Sequence, residues 1–209
     1  MKIIRLIHNE GHAVDQALRV LEAGGVAVVP TDTVYGMVGA ADNEIAIKTL
    51  FAIKKRDREK FVLLFVKDIA QARTIAYISD VKARFLEKIW PGAVSIIFQH
   101  KAKLASNISG DDTIGMRMPA HSFVSILLEK WGRPLAQTSA NISGGPPAKN
   151  IAEILAYFES HEPKPDLIID AGEIIGMPST VINFVRDAPL IVRSGIMTKM
   201  ELDMLAGGK

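Results

Sequence analysis

Several short polar segments hold the residue types that could do chemistry, and most of them adjoin an apolar run. Pro30-Thr31-Asp32-Thr33-Val34-Tyr35-Gly36 follows Val26-Ala27-Val28-Val29 and offers hydroxyls, a carboxylate and a phenol where a strand empties into a tight loop. Ligand groups collect at the carboxyl ends of sheet strands, although a Thr-rich turn reads the same way. Lys54-Lys55-Arg56-Asp57-Arg58-Glu59-Lys60 sets five basic side chains against two acidic ones. Arg offers forked planar donors and Lys a movable point charge, a combination suited to a polyphosphate. A solvated helix end of favourable dipole sign is the plainer reading of the same run.

Thr138-Ser139-Ala140-Asn141-Ile142-Ser143-Gly144 also follows a strand-like stretch. Its hydroxyls and amide suit an anion nest or local loop bonding. Pro178-Ser179-Thr180-Val181 repeats the small hydroxyls at a strand start. Gly115-Met116-Arg117-Met118-Pro119 sets one guanidinium in an apolar run, and Arg193-Ser194-Gly195 closes the last strand similarly. A buried Arg needs an anionic partner, so Arg117 reads as a binder of carboxylate or phosphate.

Other chemistries lack their residues. The chain has no cysteine, which removes disulfides, thiolate-held zinc and thiol catalysis and fits a reducing compartment. Neither G-x-x-x-x-G-K-[ST] nor G-x-G-x-x-G occurs, and no G-x-S-x-G surrounds Ser139. His8 and His12 have helical spacing, but Gly11 lies between them and no third ligand matches, so no metal-ligating residue is assigned. Asp32 has no paired carboxylate for acid–base hydrolysis. His121, after Pro119-Ala120, reads as a helix-start residue.

These segments need a scaffold to bring them together. The 209 residues, 48% hydrophobic and 23% charged, suffice for a sizeable core, and a formal charge of +2 is modest for an RNA-binding module. No apolar run reaches the length of a membrane span, and the first residues do not form a secretory signal, so a cytoplasmic protein is expected. Periodicity predicts helices over Val14–Ala23, from Asn43 to Ile53, after the caps Asp68 and Ser79, over Ser122–Trp131 and over Ile151–Phe158. Strands are predicted at Val26–Val29, Phe61–Val66, Ala93–Phe98, Thr113–Met118, Leu135–Thr138, Leu167–Asp170, Thr180–Phe184 and Leu190–Arg193. Strands and helices intermingle, with several strands close together near the end, so the fold class is α/β with a mixed sheet. The tail from Leu205 onward is expected to fray.

In order and spacing, Pro30–Gly36, Lys54-x-Arg56, Trp90-Pro91-Gly92, Gly115-x-Arg117-x-Pro119, Thr138-Ser139-Ala140-Asn141-x-Ser143-Gly144, Ser179-Thr180-Val181 and Arg193-x-Gly195 resemble the YrdC-like family of threonylcarbamoyl-AMP synthases. The resemblance implies a YrdC-like domain over residues 1–209, a twisted mixed parallel and antiparallel sheet flanked by helices around a positively charged cavity. The additional C-terminal domain of some members is not expected. The implied reaction joins L-threonine, bicarbonate and ATP, with Mg2+ on the triphosphate, and releases pyrophosphate. A partner transferase would carry the threonylcarbamoyl group to a tRNA adenosine. By the family pattern, Lys54, Arg56, Lys60, Ser139, Asn141 and Arg193 would bind ATP, Lys54 and Arg56 being the catalytic pair. Thr33, Arg117 and Ser179 would bind threonine. Asp57 and Phe61 stand where many members have proline, and Phe65 where many have histidine. A relative that binds double-stranded RNA or tRNA without efficient synthesis is the alternative, which the modest charge and the intact Ser139-x-Asn141 disfavour.

Overall fold

The computed structural model describes residues 1–55, 62–101, 108 and 112–205. In chain order the elements are β1 (Lys2–Arg5), α1 (Glu10–Glu22), β2 (Ala27–Val29), β3 (Gly36–Ala40), α2 (Glu44–Lys54), β4 (Leu63–Phe65), α3 (Ile69–Ile75) and α4 (Asp80–Ile89). Then come β5 (Val94–Gln99), β6 (Thr113–Arg117), α5 (Ser122–Trp131), β7 (Leu135–Ser139), α6 (Ile151–Phe158), β8 (Leu167–Asp170), β9 (Thr180–Asn183), β10 (Leu190–Arg193) and α7 (Lys199–Leu205).

Short polar side chains start the helices by satisfying N–H groups that have no partner within the helix. Asn43 Oδ1 accepts from the Ile45 and Ala46 amides, Asp68 from Gln71, Ser79 from Lys82 and Asn150 from Glu153. His121 occupies the corresponding position of α5 but makes no capping bond. Lys55, at φ 48°, and Gly132, at φ 70°, turn the chain out of α2 and α5 through the left-handed region.

The strands form one mixed sheet in the order β1-β8-β2-β3-β7-β4-β6-β5-β9-β10. Its β1–β8, β8–β2, β4–β6 and β5–β9 pairs are parallel and its remaining pairs antiparallel. The mixed α/β sheet expected from the residue pattern is therefore what the chain forms. Side chains alternate across a strand, and two apolar layers follow from that alternation. Val26 and Val28 join Met37, Leu64, Ile96, Ile114, Met116 and Ile182 in one layer, under α2, α3, α4 and α6. Ala27 and Val29 join Val38, Phe65, Leu135 and Leu167 in the other, under α1 and α5. Helices α1 and α5 cover this second face over only part of the sheet. Across β4, β5, β6, β7 and β9 the same face carries polar residues and a cleft.

Candidate functional site

Period-two alternation builds the cleft wall. Ile114 and Met116 of β6 point into the first apolar layer, which turns Thr113, Gly115 and Arg117 to the opposite side. Gln137 and Ser139 of β7, Val181 and Asn183 of β9, Leu63 of β4 and Ile97 of β5 share that side. Thr33, Pro178, Ser179 and Arg193 close the rim, leaving a cavity of about 520 Å³. Among the described lining residues the only charged side chains are Arg117 and Arg193.

Arg117 is buried, and its guanidinium is held on three sides. Nε donates to Gly92 O at 2.9 Å, Nη1 to Thr33 Oγ1 at 2.9 Å and Nη2 to Asp32 Oδ1 at 2.6 Å. Asp32 thus supplies the counter-ion that a buried Arg requires, with side-chain exposures of 4% for Arg117 and 15% for Asp32. Phe65 lies below, its ring centroid 5.9 Å from the guanidinium carbon. Burial lowers the Arg117 pKa, Asp32 opposes that shift, and the nearby Arg193 charge adds to it. Thr31 Oγ1 donates to Val34 O at 2.6 Å, so the 2.9 Å contact between Thr31 and Thr33 takes its proton from Thr33. Thr33 therefore accepts from Arg117 and donates to Thr31, which fixes its hydroxyl.

On the same rim Arg193 Nη2 donates to Ser179 O at 2.8 Å and Ser179 Oγ at 3.1 Å, and Ser179 Oγ meets buried Ser95 Oγ at 2.9 Å. Gly176 is required here: a Cβ on it would run into the Thr33 carbonyl oxygen, so only glycine lets this chain segment cross the Thr33 loop.

Behind Ser139 a buried cation completes the arrangement. Lys54, the last residue of α2, points its ammonium at Ser139 O (2.7 Å), Ser139 Oγ (2.9 Å) and Asn141 Oδ1 (2.5 Å). Of the residues singled out in the sequence, Thr33, Arg117, Ser139, Ser179 and Arg193 line the cleft, and Lys54 and Asn141 stand directly behind Ser139. Arg56 and Lys60, with Asp57 and Phe61, lie outside the described residues. Sequence reasoning missed Gln137 and Asn183, although each sits two residues from another wall residue on its own strand. The Asp32 pairing has no comparable signal, because 85 residues separate it from Arg117.

A family model described as telomere recombination, covering Sua5, YciO and YrdC, matches residues 19–195. The chain is 34% identical over 197 residues to a Bacillus subtilis threonylcarbamoyl-AMP synthase, covering 92% of this chain and 56% of that protein. It is 32% identical over 190 residues to a Pyrococcus abyssi threonylcarbamoyl-AMP synthase, covering 90% and 55% respectively. The chain thus spans just over half the length of these curated relatives. The structure of P. abyssi Sua5 complexed with L-threonine superposes with a TM-score of 0.88 at 30% identity, over 99% of this chain and 61% of that one. That of E. coli YciO superposes with a TM-score of 0.85 at 25% identity, over 96% of this chain and 98% of that one.

Proposed function

The chain belongs to the Sua5/YciO/YrdC family, and on that footing we propose that it makes threonylcarbamoyl-AMP from L-threonine, bicarbonate and ATP, releasing pyrophosphate. The observation that carries this reading is the joining of two polar clusters by one cleft: Thr33, Arg117 and Ser179 on one side, Ser139 with Lys54 behind it on the other. Bicarbonate and the threonine amine lose water to give a carbamate. A carbamate oxygen then attacks the α-phosphorus of ATP, and the bond to the β-phosphate oxygen breaks as pyrophosphate departs. Such an in-line displacement needs positioning and charge neutralisation more than a covalent catalyst.

The side chains fit those demands. A guanidinium has five N–H donors, and three of Arg117's are spent on Gly92, Thr33 and Asp32. Two remain for the threonine carboxylate. A charge-assisted contact of this kind contributes about 1.5–3 kcal/mol, so its loss raises the threonine KM roughly 10- to 150-fold. Lys54, Arg56, Lys60 and Arg193 are the cations for the phosphates, and Mg2+ enters as part of the nucleotide, held by phosphate oxygens and water. The adenylate is a mixed anhydride, suited to donating its acyl group to an adenosine amine through a partner transferase acting on tRNA.

Pyrophosphate release tests the reading. Purified protein given ATP, magnesium and bicarbonate is expected to release pyrophosphate only when L-threonine is added, and Arg56→Ala to lose that activity. Release that ignores threonine, or none from folded protein, overturns it.

A further inference from the structure

The hydrogen bonding of Asn141 leaves no room for the nucleotide contact that the family resemblance implies. The residue is 5% exposed and does not line the cleft. Oδ1 accepts from Lys54 Nζ at 2.5 Å and from Ser139 Oγ at 2.6 Å. Nδ2 donates to Ile142 O at 2.9 Å and Gly145 O at 2.6 Å. A carboxamide has two donor hydrogens and two acceptor lone pairs, and all are engaged inside the protein. No capacity is left for a phosphate oxygen or an adenine edge.

The same contacts bind Lys54 to this loop at both ends. Its carbonyl, at the open end of α2, accepts from the Ser143 amide at 2.9 Å, while its ammonium meets Ser139 and Asn141. Gly145 N donates back to Ile142 O, which closes the turn that Asn141 Nδ2 spans. We infer that Asn141 is a positioning residue: it fixes the Lys54 ammonium as a charge behind Ser139 and acts on the nucleotide chiefly through that lysine, without touching the nucleotide itself. The inference rests on the reading of the cleft as an ATP site.

A double-mutant cycle read by calorimetry tests it, with magnesium adenylyl-imidodiphosphate and L-threonine as separate probes. Asn141→Ala is expected to weaken the nucleotide analogue about tenfold in the native background and less than twofold in a Lys54→Met background, with threonine affinity unchanged in both. Equal losses in the two backgrounds would show that Asn141 does not act through Lys54 and would overturn the assignment. A matching loss of threonine affinity would mean general disruption of the loop and would also overturn it. Asn141→Ser, which returns one acceptor oxygen in a shorter side chain, supplies the check should the alanine variant misfold: a loss that persists in the Lys54→Met background counts against the assignment. Native protein that binds no analogue at all would instead refute the ATP reading beneath it.

Discussion

Replacing Asp32 with Asn removes the negative charge from the Arg117 ion pair and leaves the shape almost unchanged. In the structure the pair is 2.6 Å long, and neither side chain is more than 15% exposed. Removing one partner of a buried pair costs about 3–5 kcal/mol. Asn keeps an acceptor oxygen for Arg117 Nη2, so the lower end, about 3 kcal/mol, is expected. For a domain of this size each kcal/mol moves the midpoint by about 2–4 °C, so Asp32→Asn should melt roughly 6–12 °C below the native chain. Threonine then acts as a second probe. Its carboxylate would then replace the counter-ion that Arg117 has lost, so threonine should raise the melting temperature of Asp32→Asn by more than it raises the native one. Scanning calorimetry with and without L-threonine measures both effects. A loss under about 2 °C would refute Asp32 as the counter-ion, and a smaller threonine shift in the variant would refute Arg117 as the carboxylate receptor.

Two glycines on the cleft should respond differently to alanine. The Cβ added at Gly176 meets the Thr33 carbonyl, a backbone group that no rotamer change can move aside, so Gly176→Ala should displace the Thr33 loop, cost about 1–3 kcal/mol and weaken threonine binding by calorimetry. The Cβ added at Gly115 meets only the tip of Leu63, which can change rotamer, so Gly115→Ala should stay close to native in melting temperature. His121 should give the protein an acid-sensitive component. Its Nδ1 is buried without a hydrogen-bond partner among the described residues, and burial lowers its pKa from 6.5 against the opposing pull of Asp32 and Glu10. The unfolded chain therefore binds this proton more readily than the folded one. The contribution is full above 6.5 and is lost as the pH falls from there through the lower folded-state value. Melting temperatures at about pH 7.5 and 5.5, on either side of the unfolded imidazole's pKa, should differ less in His121→Asn than in the native chain.

Elements with strong apolar periodicity or a capping side chain are legible from residue types and spacing alone. The helices after Asn43, Asp68, Ser79 and Asn150, and the strands at Thr113 and Leu167, follow from those signals. Gly36–Ala40 does not, because Gly-Met-Val-Gly-Ala has neither alternation nor a run of branched residues; burial between β2 and β7 makes it a strand. Helix α1 begins at Glu10 rather than at the predicted Val14, because its first turn is polar and contains Gly11. Its buried stripe runs Ala13, Val14, Ala17 and Leu21, so only the part after that turn shows the helical pattern. The four-residue strand β1 and the seven-residue α7 carry too little pattern to announce themselves; pairing with β8 and burial of Leu202 hold them. At the site, strand alternation is enough to mark Arg117 as unusual. Its partner is not legible, because a loop carboxylate and a strand guanidinium meet only once the sheet is assembled.

What leaves the cleft as product separates synthesis from mere binding. Incubating the protein with L-threonine, bicarbonate and magnesium ATP, then separating the small molecules by liquid chromatography and mass spectrometry, measures this directly. Threonylcarbamoyl-adenylate accumulating together with pyrophosphate, and only when all three substrates are present, is the predicted result. ATP returned intact by folded protein, or an adenylate of the same mass whichever amino acid is offered, would contradict it.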